Sequence, residues 1–195
     1  MLASFATILP LISLSIAALT VADTCKPTKE TKIAKYDDLP FTEGNFNPIP
    51  PHYYGLSYFT FQVDQYDFWI PPTSGNQWTM AFGGSGNISI PDSPPNQTFE
   101  LDSFSFACVS GVPQPECAIG IWGRKANGTI IERTLKFPEL GPAPVGAYIM
   151  NKTRFSWEWK GLRSLGFSIA RADNGGDMFG GLALDDVRYT ITTPC

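Results

Sequence analysis

The chain has 195 residues, 14 Lys and Arg against 18 Asp and Glu, and a formal charge of −4. Only 16% of its residues are charged, which argues against nucleic acid or an anionic lipid surface as partner. Its 18 Gly, 17 Pro and 13% aromatic residues suit a β-rich extracellular module with many turns.

Residues 1–22 hold no charged side chain. An apolar core at about 8–19, followed by the small residues Thr20-Val21-Ala22, reads as a signal peptide. Pro10 and the serines would make a poor membrane span, and there is no second apolar run or hydrophobic tail. The expectation is a secreted chain without a membrane anchor, with residues 23–195 forming one domain. Four cysteines then lie in an oxidising compartment and allow three connectivities. Cys108 and Cys117 flank a Pro/Gly loop that a local bridge would close, which leaves Cys25 for Cys195.

Along the chain, a strand-like run at 33–39 ends in the pair Asp37-Asp38, and a Lys/Thr-rich linker precedes it. Residues 40–54 read as a long loop, because Pro48, Pro50 and Pro51 block helix and sheet. Residues 56–63 alternate as one strand, 67–72 are too broken to assign, and 78–82 alternate up to Gly83-Gly84. Residues 98–109 form the next strand. Residues 118–123 and 130–137 flank the hairpin signal Ala126-Asn127-Gly128. Phe155, Trp157 and Trp159 are expected on one strand face in the core, and 165–169 form a further short strand. Last, Gly180-Gly181 opens a two-sided strand that a second pair, Asp185-Asp186, interrupts. No stretch keeps a helical period, so roughly nine or ten strands predict an all-β antiparallel β-sandwich. Sequons stand at Asn87, Asn96, Asn127 and Asn151, each near turn residues, which predicts a glycoprotein.

Six phrases stand in a telling order: Tyr36-Asp37-Asp38-Leu39; Ile49-Pro50 with Tyr54-Gly55-Leu56; Trp78-Thr79-Met80-Ala81-Phe82; Phe99-Glu100-Leu101-Asp102-Ser103; Trp159-Lys160-Gly161-Leu162; and Leu184-Asp185-Asp186-Val187. Together they resemble a group of secreted, mainly fungal proteins of galactose-binding-like β-jelly-roll type, similar in architecture to carbohydrate-binding modules. The resemblance spans nearly the whole domain and implies that the first and last strands pair antiparallel, with a structural calcium nearby. If Cys25 and Cys195 mark the paired ends, partner numbers sum to roughly 220 on antiparallel geometry. Asp37 then falls within two residues of Asp185. Asp37, Asp38, Asp185 and Asp186 are therefore the expected calcium ligands, since converging carboxylates repel without a cation. The competing reading has Asp38 capping a turn and Asp186 pairing with Arg188 or Lys35. The loop Asp173-Asn174-Gly175-Gly176-Asp177 is a second oxygen-rich candidate.

No catalytic set stands out. The single histidine, His52, sits in a proline-rich loop without a nucleophile-elbow motif, and every cysteine has a disulfide role. Glu43, Glu100, Glu132 and Glu158 are the carboxylates that a glycosidase would need to pair, but nothing singles out two of them. Binding leads, with an extracellular glycan or cell-wall polysaccharide as partner. Tyr53, Tyr54, Trp69 and Trp122 are the aromatic candidates for stacking on sugar. A secreted interaction protein, such as a host-directed effector with a protein partner, is the alternative.

Overall fold

The computed structural model describes residues 25–65, 70–92, 96–109, 116–141, 148–171 and 180–195. Among these lie eleven strands: β1 (Thr28–Ala34), β2 (Ser57–Phe59), β3 (Phe61–Gln65), β4 (Gln77–Phe82), β5 (Ser85–Ser89), β6 (Thr98–Val109), β7 (Cys117–Lys125), β8 (Ile130–Phe137), β9 (Asn151–Arg154), β10 (Leu162–Arg171) and β11 (Gly181–Thr193). A single 3-10 turn, Trp157–Trp159, is the one helical piece among the described residues. The fold is an all-β antiparallel β-sandwich.

Strand pairing divides it into two layers. One runs β2-β5-β10-β7-β8. In the other, β11 lies beside β6 along nearly its whole length. Its opposite edge is shared end to end by β4, which continues to β3, and by β1. β9 and a single β10 pair, Leu162 with Phe99, take the far edge of β6, so the second pairing joins the two layers. The first and last described strands thus pair antiparallel, with partners such as Thr28–Thr193 and Ala34–Val187.

The core forms where alternating apolar residues of the two layers meet. Phe167 of β10 is edge-on to Phe61 of β3 at 5.7 Å and to Phe104 of β6 at 5.9 Å. Gly86 of β5 is required by this packing, since an added Cβ would overlap the Phe61 ring. Cys25–Cys195 closes the β1–β11 end, and Cys108–Cys117 ties β6 to β7, one strand from each layer.

β11 carries a bulge that explains its Asp pair. Leu182 and Leu184 lie opposite Cys108 and Phe106, whereas Tyr189 and Ile191 lie opposite Leu101 and Phe99. The inward parity therefore switches from even to odd, and the register breaks between Asp185 and Arg188, with Asp186 at φ +49°. A strand expected to alternate uniformly does so only on either side of that bulge.

Several boundaries differ from expectation. The first strand is the Lys/Thr-rich segment 28–34 itself, and Tyr36 to Leu39 is a turn closed by the Leu39 N–H donating to the Tyr36 carbonyl at 3.1 Å. Residues 56–63 are not one strand. Thr60 sits at φ +65° and hands the chain from β2 in one layer to β3 in the other. β5 and β9 were not expected at all. Trp157 is 74% exposed while Trp159 is buried, because the expected strand is a 3-10 turn and its residues do not alternate between two faces.

Candidate functional site

The first candidate is the outer face of the β2-β5-β10-β7-β8 layer. Ile119 and Ile121 of β7 point into the core, which sends Trp122 outward, 38% exposed. On β10, Phe167 points inward and its neighbour Gly166 outward. The registers align one row across five strands: Phe59 opposite Asn87, Asn87 opposite Gly166, Gly166 opposite Trp122, and Trp122 opposite Glu132. Directly opposed residues share a face, about 5 Å apart. Gly166 has no side chain, and the Trp122 indole occupies that space, so an added Cβ there would overlap the ring. The result is a flat shelf with the indole at one end and Phe59, 74% exposed, at the other. Asn87 lies between them.

Small polar residues surround the shelf. The adjacent rows of the same face hold Ser57, Ser89 and Ser164 on one side and Ser85 and Ser168 on the other. Phe59, Thr60, Ser85, Gly86, Asn87, Trp122 and Phe167 line a shallow depression of about 220 Å³. Planar apolar rings with hydroxyl and amide groups at their margin match a sugar, which is apolar on its C–H faces and polar around its edge.

The four Asp residues lie elsewhere. The observed β1–β11 register sums to 221. Continued past Ala34, it would place Asp37 opposite Leu184, beside Asp185. The alternation of β11 puts Asp185 with Ala183 on the face away from Phe106, where the loop through Ser74 covers it completely. The Ser74 N–H donates to Asp185 Oδ2 at 2.7 Å, and the Ser74 hydroxyl lies 3.3 Å from Asp185 Oδ1 and 3.5 Å from Asp37 Oδ2. Asp37 Oδ1 accepts from the N–H groups of Asn76 and Gln77 at 3.0 and 3.2 Å. Gly75, at φ +52°, is needed here, because a Cβ would overlap the Asp37 carboxylate.

Burial pushes the Asp185 carboxyl up to about 6, against donation from the Ser74 and Asp186 N–H groups and with help from the Asp186 charge. Asp186 Oδ1 is buried without a hydrogen-bond partner. Asp38 turns the other way and accepts from the Tyr53 hydroxyl at 2.6 Å. Arg188 stands 4.0 Å from Asp102, not against Asp186. Among the described residues, no three His, Cys, Asp or Glu side chains are grouped so as to hold a metal. A cation at Asp37, Asp185 and Asp186 would therefore need backbone oxygens or water as well. The donor set is all oxygen, the chemistry that suits calcium. The loop 173–177 lies outside the described residues.

Tyr53 belongs to a buried tyrosine cluster and offers no free ring face. It stacks on Tyr36 at 5.6 Å and is edge-on to Tyr54 and Tyr58. Burial drives the phenols of Tyr36, Tyr58 and Tyr189 upward, and the Tyr53 phenol too, with Asp38 adding to its shift. Tyr54 remains 42% exposed, with its carbonyl accepting from Tyr189. Trp69 lies outside the described residues. A separate polar cleft of about 390 Å³, between β9, β6 and β11, is lined among the described residues by Asp102, Ser103, Lys152, Arg154 and Arg188, none of them aromatic. Burial and the nearby Glu100 raise the Asp102 carboxyl above its ordinary value.

No family model and no curated protein matches the chain. Among solved structures, the carbohydrate-binding module TmCBM61 in complex with β-1,4-galactotriose is similar at 11% identity and TM-score 0.39, covering 70% of this chain and 86% of the other. An exo-β-agarase is similar at 10% identity and TM-score 0.40, covering 72% of this chain but 23% of the enzyme. A cyclase from Fischerella sp. TAU, in complex with 4-(1H-indol-3-yl)butan-2-one, is similar at 14% identity and TM-score 0.37, covering 83% and 95%. These likenesses concern the β-sandwich outline.

Of the expected sugar-stacking aromatics that are described, Tyr53, Tyr54 and Trp122, only Trp122 falls on the shelf. Phe59 was missed because an unbroken strand at 56–63 would put it on the same face as the inward Phe61. Gly166 carried no signal of its own.

Proposed function

We propose that this chain is a secreted, non-catalytic glycan-binding module whose sugar site is the Trp122–Phe59 shelf. The observation that supports it most is the single row in which Gly166 lets the Trp122 indole lie flat beside Asn87 and Phe59. Two exposed rings flank the Asn87 amide on one face, while that amide and the flanking serines offer hydrogen bonds to sugar hydroxyls. In a pull-down on chitin, cellulose and β-glucan, the protein is expected to be retained on at least one. Trp122→Ala should lose that retention with an unchanged melting temperature, because the ring lies outside the core. Retention that survives Trp122→Ala and Phe59→Ala together would move the site elsewhere. No retention on any glycan would favour the protein-partner reading.

A structural calcium held by Asp37, Asp185 and Asp186 belongs to the same reading, supported by the partnerless Asp186 oxygen and the shared Ser74 contact. The metal would supply the charge that two buried or half-buried carboxylates lack, and no chemistry. The expected effect has a definite sign. In chelated protein the Asp185 carboxyl titrates at about 6 when folded, above its ordinary 3.8. The folded state then binds the extra proton, so the Asp185 contribution to stability is fully present below about pH 4 and is lost as pH rises through about 6. That loss is about 3 kcal/mol. Calcium favours the ionised carboxylates and should reverse the trend, raising the melting temperature above pH 6. Asp185→Asn should remove both the pH slope and the calcium response. Melting curves at pH 4 and 7, with EDTA or with calcium, check this, and a calcium-independent curve would refute the metal assignment.

A further inference from the structure

Four sequons are present, and one of them lies in the proposed sugar site. Asn87-Ile88-Ser89 lies within β5, and Asn87 is the residue between Phe59 and the ring of Trp122. The other three asparagines do not line the shelf. Asn127 is in the β7–β8 turn, Asn96 is in a turn at φ +64°, and Asn151 begins β9. The Asn87 carboxamide makes no hydrogen bond among the described residues, so its Nδ2 is not committed to the fold.

We propose that an N-linked glycan on Asn87 folds onto the Trp122–Phe59 shelf and competes there with external sugar. This is regulation of the site proposed above and rests on that reading. The chemistry needs a lipid-linked oligosaccharide diphosphate as donor. The Nδ2–C1 bond forms, the C1–O bond to phosphate breaks, a proton leaves Nδ2, and the lipid diphosphate departs. The acceptor is the extended chain before folding, so the later burial of the β5 backbone between β2 and β10 is no obstacle.

Geometry then dictates where the first sugar goes. Cross-strand neighbours on one face are about 5 Å apart. On one side of Asn87 stands Phe59, and on the other the Gly166 position is filled by the indole. A sugar joined to Nδ2 therefore starts in contact range of both rings, with the serine rows at its edge. A short flexible tether gives it a local concentration of order millimolar, so even weak stacking keeps the shelf occupied. Shelf aromatics that would otherwise be bare are then covered by a group that an incoming polysaccharide must displace. The glycosylated protein is the weakened form, and the unglycosylated protein the competent one.

The test uses the full chain expressed in a glycosylating host, with occupancy of Asn87 read by peptide mass spectrometry. Wild type is compared with Ser89→Ala and Asn87→Gln, both without the sequon. Because both side chains belong to the shelf and its rim, all three are also made in a host that does not N-glycosylate, where only the side-chain change acts. Acrylamide quenching of tryptophan emission, with a Trp122→Phe background subtracted, reports whether the indole is covered. Wild type should show Asn87 occupied and Trp122 shielded, and both aglycosyl proteins should be more quenchable. On the glycan that retains the chain, both should bind about tenfold more tightly than wild type when made in the glycosylating host and no more tightly when all three are made without glycans, and enzymatic removal of the glycan from wild type should recover the difference. An unoccupied Asn87, or equal quenching and equal retention in all three proteins, overturns the inference. A quenching difference without retention of any form upholds the covered shelf while counting against the binding function.

Discussion

Replacing both Cys25 and Cys195 with Ser is expected to cost about 5 kcal/mol. The bridge closes a loop of sequence separation 170. On the chain-entropy model, the gain grows as the logarithm of loop length and is already about 4.7 kcal/mol for 100 residues. The bridge lies just beyond the β1–β11 pairing, whose seven partner pairs hold the first described strand in place. Removing it frees the unfolded chain and lets β1 peel from the edge. That strand is mostly exposed, so it has little buried surface to hold it without the covalent clamp. Urea titration of the double variant reads the loss directly. A change below about 1 kcal/mol would mean that the ends are held by packing and not by the bridge.

Trp159→Ala should cost about 3–5 kcal/mol, and Trp157→Ala almost nothing. Trp159 is 4% exposed, edge-on to Phe155 at 4.8 Å, and its ring lies against the Gly123 position on β7. Phe155 in turn rests on Phe104 at 5.1 Å, so truncating Trp159 opens a void at the end of a continuous aromatic stack. Trp157, two residues away, is 74% exposed. Thermal melts of the two variants separate the readings cleanly. Equal losses at both positions would show that the 3-10 turn is not the local structure.

The contrast shows what could be read before the fold was known. At 130–137, where alternation survives, expected and observed strand bounds coincide, and at 98–109 they coincide although the register slips between Leu101 and Ser103. Where one residue breaks it, the reading fails. Thr60 at positive φ splits 56–63 between layers and reverses the face of Phe59. β5 escaped notice because one of its two inward positions is Gly86, whose space is filled by a ring from β3. β9, Asn-Lys-Thr-Arg, is short and polar. The β1–β11 register was legible to within one residue, because two cysteines mark its ends.

The shelf was not legible, since it depends on registers among β2, β5, β10 and β7, which nothing in their local composition records. Trp122 was named for its aromatic ring. Its outward direction follows from Ile119 and Ile121 pointing inward. Asp37 and Asp185 were expected to converge directly, but Ser74, from a loop with no strand signal, stands between them.

Sugar held against Trp122 must be felt by its indole N–H. Five tryptophans give five indole N–H signals in a nitrogen-correlated NMR spectrum, and Trp122→Phe identifies the one from the shelf. Aglycosyl protein of unaltered sequence, made in a host that does not N-glycosylate, is titrated with soluble oligosaccharide from the glycan that retains it. The Trp122 indole signal should move with saturable dependence on sugar, while those of the buried Trp78 and Trp159 stay fixed. A saturable shift of the Trp69 or Trp157 signal, with Trp122 unmoved, would contradict it.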